Sequence, residues 1–514
     1  MTPSLTDTPL RPSYTAPIPV TALAAPVGAT ISGPPGDTVV TGVTLRAQQV
    51  RPGDLFAALR SLTPGRPHGA DFAAAAVNAG TAALLTDPEG AQRATLAGVA
   101  VPLLVHPEPR TVVGELAARI YGEPAARMAV LGITGTSGKT TTSYLLEAGL
   151  RAAGAATGLL GTVQARIGDM VLPSTFTTPE APDLQALLAL MVERGVTHLP
   201  MEVSSHALAL GRVAGTRFAV AAFTNLSQDH LDFHHDMEDY FAAKAALFDG
   251  RAVSEVVCVD DEWGRRLVTP DTITVSRTDE AAWRAGDLTV GDGGVQRFVA
   301  HGPDGLSLPV TLRLPGVFNV TNALVALAVG YAAGADPARL AEGIGSAEVP
   351  GRMQRVDAGQ DFLAVVDYAH KPAAVAALLD AVREQVSGVR DVGARVLIVL
   401  GCGGDRDVAK RPVMGAEAAA RADLLVVTDD NPRNEDPAAI RAAMLDGARR
   451  GSAEVVEIGD RAAAIEYAVT EARPGDAVVV AGKGHESGQR VGEVTHPFSD
   501  VEVLAAALAK RGAR

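Results

Sequence analysis

LGITGTSGKTTTSYLLEAGL (131–150) sets an apolar strand, a glycine-rich turn and a helix end to end. Gly135 and Gly138 can present backbone NH groups to phosphate oxygens, because a side chain there would block close approach. Lys139 adds a point charge suited to β- and γ-phosphates, and the Thr140 hydroxyl is placed to ligate Mg2+. A strict GxxxxGK[ST] pattern would put glycine at 133, where this chain has isoleucine. GTSGKTTT after a strand and before a helix nevertheless reads as a nucleotide site. Its plainer reading is a glycine-rich turn with an exposed lysine.

Outward from this unit, apolar runs alternate with helical patterns in both directions. TAALLTD (81–87) and VAVPLLV (99–105) read as strands, with helices near 69–79 and 109–121. Downstream strands fall at 197–203, 218–224 and 255–260, and helices near 139–153, 182–195, 237–249 and 320–334. The stretch 265–313 is richer in Gly, Asp and Thr and reads as short β and loops. VPGR (349–352) reads as a hinge. Beyond it FLAVVD, ARVLIVLG, ADLLVVT and DAVVVAG are continuous apolar runs, as strands buried on both faces of a parallel sheet require. The expected fold is α/β in three domains, 1–124, 125–350 and 351–514. These are an N-terminal mixed α/β domain, a central P-loop parallel-sheet domain and a C-terminal Rossmann-like domain. The 514 residues fit three cores at about 150 residues each. The first ~35 residues, with Pro3, Pro9, Pro12, Pro17, Pro19, Pro26, Pro34 and Pro35, read as an irregular or mobile lead-in.

Lys plus Arg (45) against Asp plus Glu (59) leaves a net charge of −14, which argues against coating nucleic acid or an anionic membrane. Phosphates must then be met by local devices such as amide nests and helix N-termini. Two cysteines, Cys258 and Cys402, exclude a disulfide framework or a cysteine-rich zinc module. No apolar run reaches the ~18 residues of a membrane span, and the first residues lack the basic and apolar parts of a secretory signal. The expectation is a cytoplasmic monomer acting on small molecules, with no nucleic acid and no membrane span.

The GTSGKTTT variant resembles the signature of the Mur ligase family of ATP-dependent amide-forming enzymes, and the likeness extends to later motifs. TFTTPEAPDLQ (175–185) resembles the family's TTP segment, which implies that Thr177 and Thr178 contact a nucleotide-sugar substrate. Alone it reads as a Thr/Pro turn capping a helix. LPMEVSSHALALGRV (199–213) puts Glu202, Ser204, Ser205 and His206 at a strand end, where ligands gather in open α/β sheets. The resemblance makes Glu202 a magnesium ligand and Ser204 and Arg212 substrate contacts; Leu210 stands where many members carry Gln. In FTNLSQDHLDFHHDMEDYFAAKAALF (223–248) it makes His230 a second-metal ligand and Lys244 the family's carbamylated lysine. An ammonium cannot bind a cation, but a carbamate made with CO2 is a hard oxygen donor. Without the resemblance Lys244 is a solvated helix lysine, and His230, His234 and His235 are rivals for zinc that lack clustered Cys or an HExxH pattern.

LPGVFNVTNALVA (314–326) puts Asn319 and Asn322 on one helical face, as implied adenine contacts or as a helix start with an Asn cap. Arg352 of VPGRMQRV and Asp367 and His370 of DYAHKP (367–372) resemble residues that close over ATP; DYAHKP also reads as a strand end before a Pro-started helix. The implied ATP set is Gly135, Thr136, Ser137, Gly138, Lys139, Thr140, Thr141, Asn319, Asn322, Arg352, Asp367 and His370. The implied metal set is Thr140, Glu202, His230 and Lys244, the last three joining Lys139 as the catalytic charge set.

In GCGGDRDVAKRPVMG (401–415), Arg406 occupies the third glycine of a GxGxxG loop, which weakens a dinucleotide reading. TDDNPRNEDP (428–437) and AGKGHESGQR (481–490) also follow strands, so three loops can converge on one crevice. DNPR resembles the motif of the members that add meso-diaminopimelate; lysine-adding relatives usually lack the arginine. Arg433 or Arg406 can hold a distal carboxylate bidentately, and Glu486 can meet the neighbouring ammonium. Implied contacts are Arg406, Asp430, Asn431, Pro432, Arg433, Gly482 and Glu486. Otherwise Arg433 makes a surface pair with Glu435 or Asp436. VRPGDLFAAL (50–59) fits a uridine-binding domain, with Arg46, Ala47 and Gln48 in place of the usual DSR and contacts implied near Leu45 and Ala47. The implied reaction phosphorylates the D-glutamate carboxylate of UDP-N-acetylmuramoyl-L-alanyl-D-glutamate with ATP and Mg2+, and the diaminopimelate amine then displaces phosphate. Alternatives are a lysine- or ornithine-adding member, a folylpolyglutamate synthetase, or a P-loop NTPase switch.

Overall fold

The computed structural model describes residues 10–63, 65–172, 177–291, 294–387 and 393–512. They pack as two compact units. The first holds the described residues up to Lys139 with Leu150–Thr274 and Ala328–Asp336. The second holds Thr140–Gly149, Val275–Leu327 and the chain from Pro337.

In the first unit the N-terminal stretch builds a sheet in the order Thr30–Ser32, Leu103–Val105, Ala83–Thr86, Asp54–Ala57, Gly42–Thr44. The last four strands are parallel and the first is an antiparallel edge. Leu55 and Ala57 pack with Val20, Leu23, Leu85 and Leu104, while Phe56 and Ala58 pack with Ala73, Ala76 and Leu84. Both faces are therefore apolar, which explains the unbroken apolar runs. The lead-in differs from its expected irregularity. Val20–Ala24 is a helix, and Val20, Leu23, Ala24 and Val27 enter the core. Its prolines do no harm, because Pro19 is the N-cap and Pro26 lies in the first turn of Ala25–Val27, where a missing NH breaks no helical bond. Arg11 pins the segment to the sheet through both oxygens of Asp54, at 2.6 and 2.9 Å. Pro3 and Pro9 lie outside the described residues.

The strand Ala129–Thr134 is central in a second sheet of this unit. The order is Met170–Leu172, Ala165–Ile167, Gly158–Leu160, His198–Glu202, Ala129–Thr134, Phe218–Phe223, Ala252–Cys258. The last five strands are parallel. The hairpin formed by the first two goes beyond the sequence reading, since three-residue strands are too short to show alternation. Gly132 lies against Phe218, and a Cβ there would come within 2.7 Å of the ring. The carboxyl ends at Thr134, Glu202 and Phe223 thus deliver three loops to one edge.

In the second unit Trp283–Val290, Gln296–His301 and Ser307–Leu312 form an antiparallel meander, more regular than the expected short β and loops. Ser307–Leu312 alternates exposed with buried residues, and Trp283 is fully buried. The C-terminal stretch forms a sheet in the order Gln354–Arg355, Leu363–Asp367, Ala477–Ala481, Val396–Leu400, Leu424–Val427, Glu454–Glu457, parallel except at the first strand. The four apolar runs are its interior. Val365, Ile398, Leu425 and Val479 face one core, and Val366, Leu397, Val426 and Val478 the other. No helix among the described residues is long and apolar enough to cross a membrane.

Candidate active site

Gly135 has φ +144°, and a Cβ on it would collide with Thr224 Oγ1. That hydroxyl donates to Ser137 O at 2.7 Å. Asn225 clamps the same loop: its Oδ1 accepts from Ser137 N at 2.9 Å, its Nδ2 donates to Ser137 O at 3.1 Å, and its carbonyl accepts from Thr136 N at 2.9 Å. The amides of Thr136 and Ser137, two members of the implied ATP set, are therefore engaged within the protein. The donors facing outward are those of Gly138 and the first turn of the helix Lys139–Ala152, whose amides have no preceding helical carbonyl.

Lys139 Nζ donates to Gly135 O at 2.8 Å and to Thr136 O at 3.0 Å. Lys244, only 1% exposed, donates to the same Gly135 O at 2.8 Å. The two ammonium groups are thus no further apart than twice that distance, where like charges repel by about 1 to 3 kcal/mol. Lys244 is carried by the helix Met237–Ala245, capped by Asp236, and its Nζ lies 4.6 Å from the centre of the Tyr240 ring. The solvated-lysine alternative does not describe this side chain.

Glu202, also 1% exposed, accepts from Thr162 N at 2.8 Å and Thr162 Oγ1 at 3.0 Å. Thr178 Oγ1 donates to Glu202 O at 2.9 Å, and Thr177 Oγ1 lies 3.1 Å from Thr162 Oγ1. The TTP hydroxyls and Glu202 are therefore one cluster; Thr175 and Phe176 of that motif lie outside the described residues. Ser204 caps the helix Ser205–Ala209 through Ala207 N at 3.2 Å. Arg212 pairs with Glu180 at 2.9 Å and reaches Thr178 O at 3.3 Å.

His230 is exposed at φ +53°, with Nε2 3.0 Å from Asp229 Oδ2. A proton on that nitrogen leaves Nδ1 as a lone pair. His206 stacks on Phe233 at 4.1 Å. Burial, then His230 and His234, press it down to about 4, so it is neutral at pH 7. His234 Nε2 lies 3.0 Å from Ser205 Oγ and its Nδ1 3.5 Å from Asp239. Ser205 and His234 are buried, so this chain of groups ties the 205–209 helix to the 237–245 helix and offers no accessible nucleophile. Among the described residues no group of three or more His, Cys, Asp or Glu could hold a metal. A zinc cage from His230, His234 and His235 is absent there. Mg2+ asks for less, commonly one or two carboxylates with substrate phosphates and water, and the buried acceptor Glu202 one strand from the P-loop strand fits that demand.

Asn319 Nδ2 donates to Pro315 O at 2.6 Å, and Asn322 Nδ2 to Asn319 Oδ1 at 3.0 Å. Thr142 Oγ1 lies 3.4 Å from Asn322 Oδ1, which links the helix Phe318–Ala332 to the P-loop helix. The Arg352 guanidinium lies 4.3 Å over the Tyr368 ring, with Nη2 3.5 Å from Thr140 Oγ1. Asp367 accepts from Met353 N and Ala369 N, both at 2.7 Å, yet burial raises its carboxyl above the usual range. Burial and then Lys371 press His370 down to about 4. DYAHKP is indeed a strand end followed by the helix Pro372–Ser387.

The three C-terminal loops leave neighbouring parallel strands and touch. Arg433 sits at φ +51°, its NH donating to Arg490 O at 3.1 Å and its carbonyl accepting from Gly492 N at 2.7 Å. Its Nη1 donates to Gly404 O at 2.7 Å. Glu435 pairs with Arg411, at 2.8 and 2.9 Å, and Asp436 caps the helix Pro437–Ala448, so the alternative of a surface pair with Arg433 is not formed among the described residues. Gly403 lies between the two candidate arginines: a Cβ on it would be 2.8 Å from Arg433 Nη1 and 3.9 Å from Arg406 Cγ. Asn431 Nδ2 donates to Glu486 Oε2 at 2.9 Å, and a Cβ on Gly482 would lie 2.8 Å from Asp430 Oδ2. Beside the N-terminal sheet Ala47 is packed in the core and Leu45 is half-buried.

Residues 133–330 match the model of the Mur ligase middle domain, and residues 351–484 that of the Mur ligase glutamate ligase domain. The chain belongs to the Mur ligase family. It is an ATP-dependent amide-bond-forming ligase, of a family that uses ATP and Mg2+. It is 53% identical to the UDP-N-acetylmuramoyl-L-alanyl-D-glutamate–2,6-diaminopimelate ligase of Corynebacterium efficiens, over 88% of this chain and 87% of that one. The enzyme of the same name from Streptomyces coelicolor is 51% identical over 98% of both chains. A solved structure bearing that name superposes with a TM-score of 0.67 at 33% identity, covering 92% of this chain and 96% of that one. A MurF ligase from Thermotoga maritima, solved with ADP, shares the fold at a TM-score of 0.61 and 18% identity, over 92% and 97% of the two chains.

This Mur ligase also uses residues that motif reading passed over. Asn225 shapes the P-loop, Thr162 holds Glu202, and Lys483 lies fully buried among the C-terminal loops. Lys483 had a visible signal, a lysine between two glycines directly after an apolar strand. Thr162 had none.

Proposed function

We propose that this Mur ligase joins meso-diaminopimelate to the D-glutamate of UDP-N-acetylmuramoyl-L-alanyl-D-glutamate, in the assembly of a peptidoglycan precursor. The observation that carries the choice of amino acid is Arg433. Its backbone is held in a left-handed turn by Arg490 and Gly492 at the end of the strand Gly488–Val491, and no carboxylate among the described residues lies within ion-pair distance of its guanidinium. A cation so placed favours a substrate with a second carboxylate, whereas lysine would bring an ammonium to it. The names of relatives at 51–53% identity support the same reading.

In this proposal the chain divides at 1–124, 125–350 and 351–514 into UDP-sugar, ATP and amino-acid domains, and it works as a cytoplasmic monomer. Lys139, Gly138 and the first turn of the P-loop helix take the β- and γ-phosphates, with Asn319 and Asn322 toward the adenine and Arg352, Asp367 and His370 closing over the nucleotide. Thr177, Thr178, Ser204 and Arg212 hold the sugar dipeptide. The D-glutamate side-chain carboxylate attacks the γ-phosphorus of ATP and ADP leaves, giving an acyl phosphate; the amine adds to that carbonyl, gives up a proton, and phosphate leaves. Both first reactants are anions, so the protein's work is positioning and charge neutralisation. Thr140, Glu202, His230 and a carbamate on Lys244 would hold Mg2+, which supplies charge stabilisation to the transferring phosphoryl group. The close approach of Lys139 and Lys244 supports the carbamate, since it turns one of two crowded cations into an anion.

Arg433→Ala should raise KM for diaminopimelate about ten- to a hundredfold, the size of a lost charge-assisted contact, with KM for ATP within about twofold. Equal effects on both substrates would remove its assigned role.

A further inference from the structure

Lys483 is fully buried between two loops that the proposed function uses for diaminopimelate. Its Nζ donates to Asn431 Oδ1 and to Glu486 Oε2, both at 3.0 Å, and lies 3.9 Å from Asp430 Oδ1. Asn431 Oδ1 also accepts from Arg490 N at 2.9 Å. An amide end that faces two donors must be its oxygen. The other end is therefore NH2; one hydrogen goes to Glu486 Oε2, and the second points elsewhere as a donor. Glu486 Oε2 accepts from both Lys483 and Asn431, while no bond within the described residues engages Oε1.

We infer that Lys483 is a positioning residue that gives the amino-acid pocket its polarity. It fixes Asn431 as a donor and Glu486 as an acceptor, side by side. That pair suits a zwitterionic amino-acid head, a carboxylate on Asn431 Nδ2 with Arg433 close by, and an ammonium on Glu486 Oε1. A diamino acid whose far end carries only an ammonium satisfies one half of it. Lys483 also separates Asp430 from Glu486, two carboxylates that would otherwise face each other across the loops. The inference rests on the proposed pocket, but it assigns a task to a side chain that cannot itself reach substrate.

The test is a double-mutant cycle on the full enzyme with Lys483→Met and Glu486→Gln, reading KM for the amino acid, for ATP and for the sugar dipeptide. Lys483→Met should raise KM for diaminopimelate about tenfold or more, with the other two within about twofold. The double variant should lose little more than the worse single one, because Lys483 acts through Glu486 and Asn431. Fully additive losses, or equal rises in all three KM values, would overturn it. If Lys483→Met does not fold, Lys483→Gln, which keeps a donor toward Asn431, carries the same cycle. If the wild-type enzyme prefers lysine, the proposed substrate fails, and the cycle run with lysine still judges Lys483 by its additivity.

Discussion

Lys244→Ala should lower kcat about a hundredfold or more, and a short carboxylate such as formate or acetate should restore part of the loss. The structure buries this lysine beside a second cation. It is buried, shares the Gly135 carbonyl with Lys139, and lies 4.6 Å from the centre of the Tyr240 ring. A carbamate relieves the repulsion and adds an oxygen donor where the phosphoryl group must be stabilised. Alanine leaves a space that a small carboxylate can enter. A purely structural ammonium makes the opposite prediction, rescue by a small amine and none by carboxylates. Steady-state rates of Lys244→Ala with each additive separate the two, and unchanged activity without additives would sink the carbamate.

Lys139→Met should lower kcat about a thousandfold, the scale on which preorganised charges at a transferring group act. In the structure the Lys139 ammonium is held over its own loop by the Gly135 and Thr136 carbonyls, so it needs little reorganisation to meet phosphate oxygens. Methionine keeps the length and apolar stem while removing the charge. KM for the sugar dipeptide should stay within about twofold, since Thr178 and Arg212, assigned to that substrate, hold one another and Arg212 pairs with Glu180. Single-turnover phosphate release in rapid-quench flow checks this, and a rate within about fivefold of wild type would contradict it.

Much of the fold was legible because parallel strands covered on both faces must be apolar throughout, as Val396–Leu400 and Ala477–Ala481 are. The P-loop and the DNPR and GKGHE loops were legible for a related reason: glycines and charged side chains directly after such runs stand out. Other features depend on contacts that no local pattern encodes. Asn225 meets Ser137 across 88 residues of sequence, and Lys483 meets Asn431 across 52. Arg433 illustrates the reverse case, where the plainer local alternative is not formed. Glu435 is two residues away, yet Arg411 takes it because the 401–411 loop and the 428–437 loop leave adjacent strands. At the N-terminus the prolines hid a helix, since Pro19 and Pro26 occupy positions that tolerate them.

ATP should be cleaved only to join a diamino dicarboxylate to a sugar dipeptide. Phosphate release should be measured with ATP and Mg2+, with and without UDP-N-acetylmuramoyl-L-alanyl-D-glutamate, and with meso-diaminopimelate, lysine or ornithine in parallel. Sustained release is expected only when the sugar dipeptide and an amino acid are both present, fastest with diaminopimelate. Release from ATP alone, or equal rates with lysine and diaminopimelate, would contradict it.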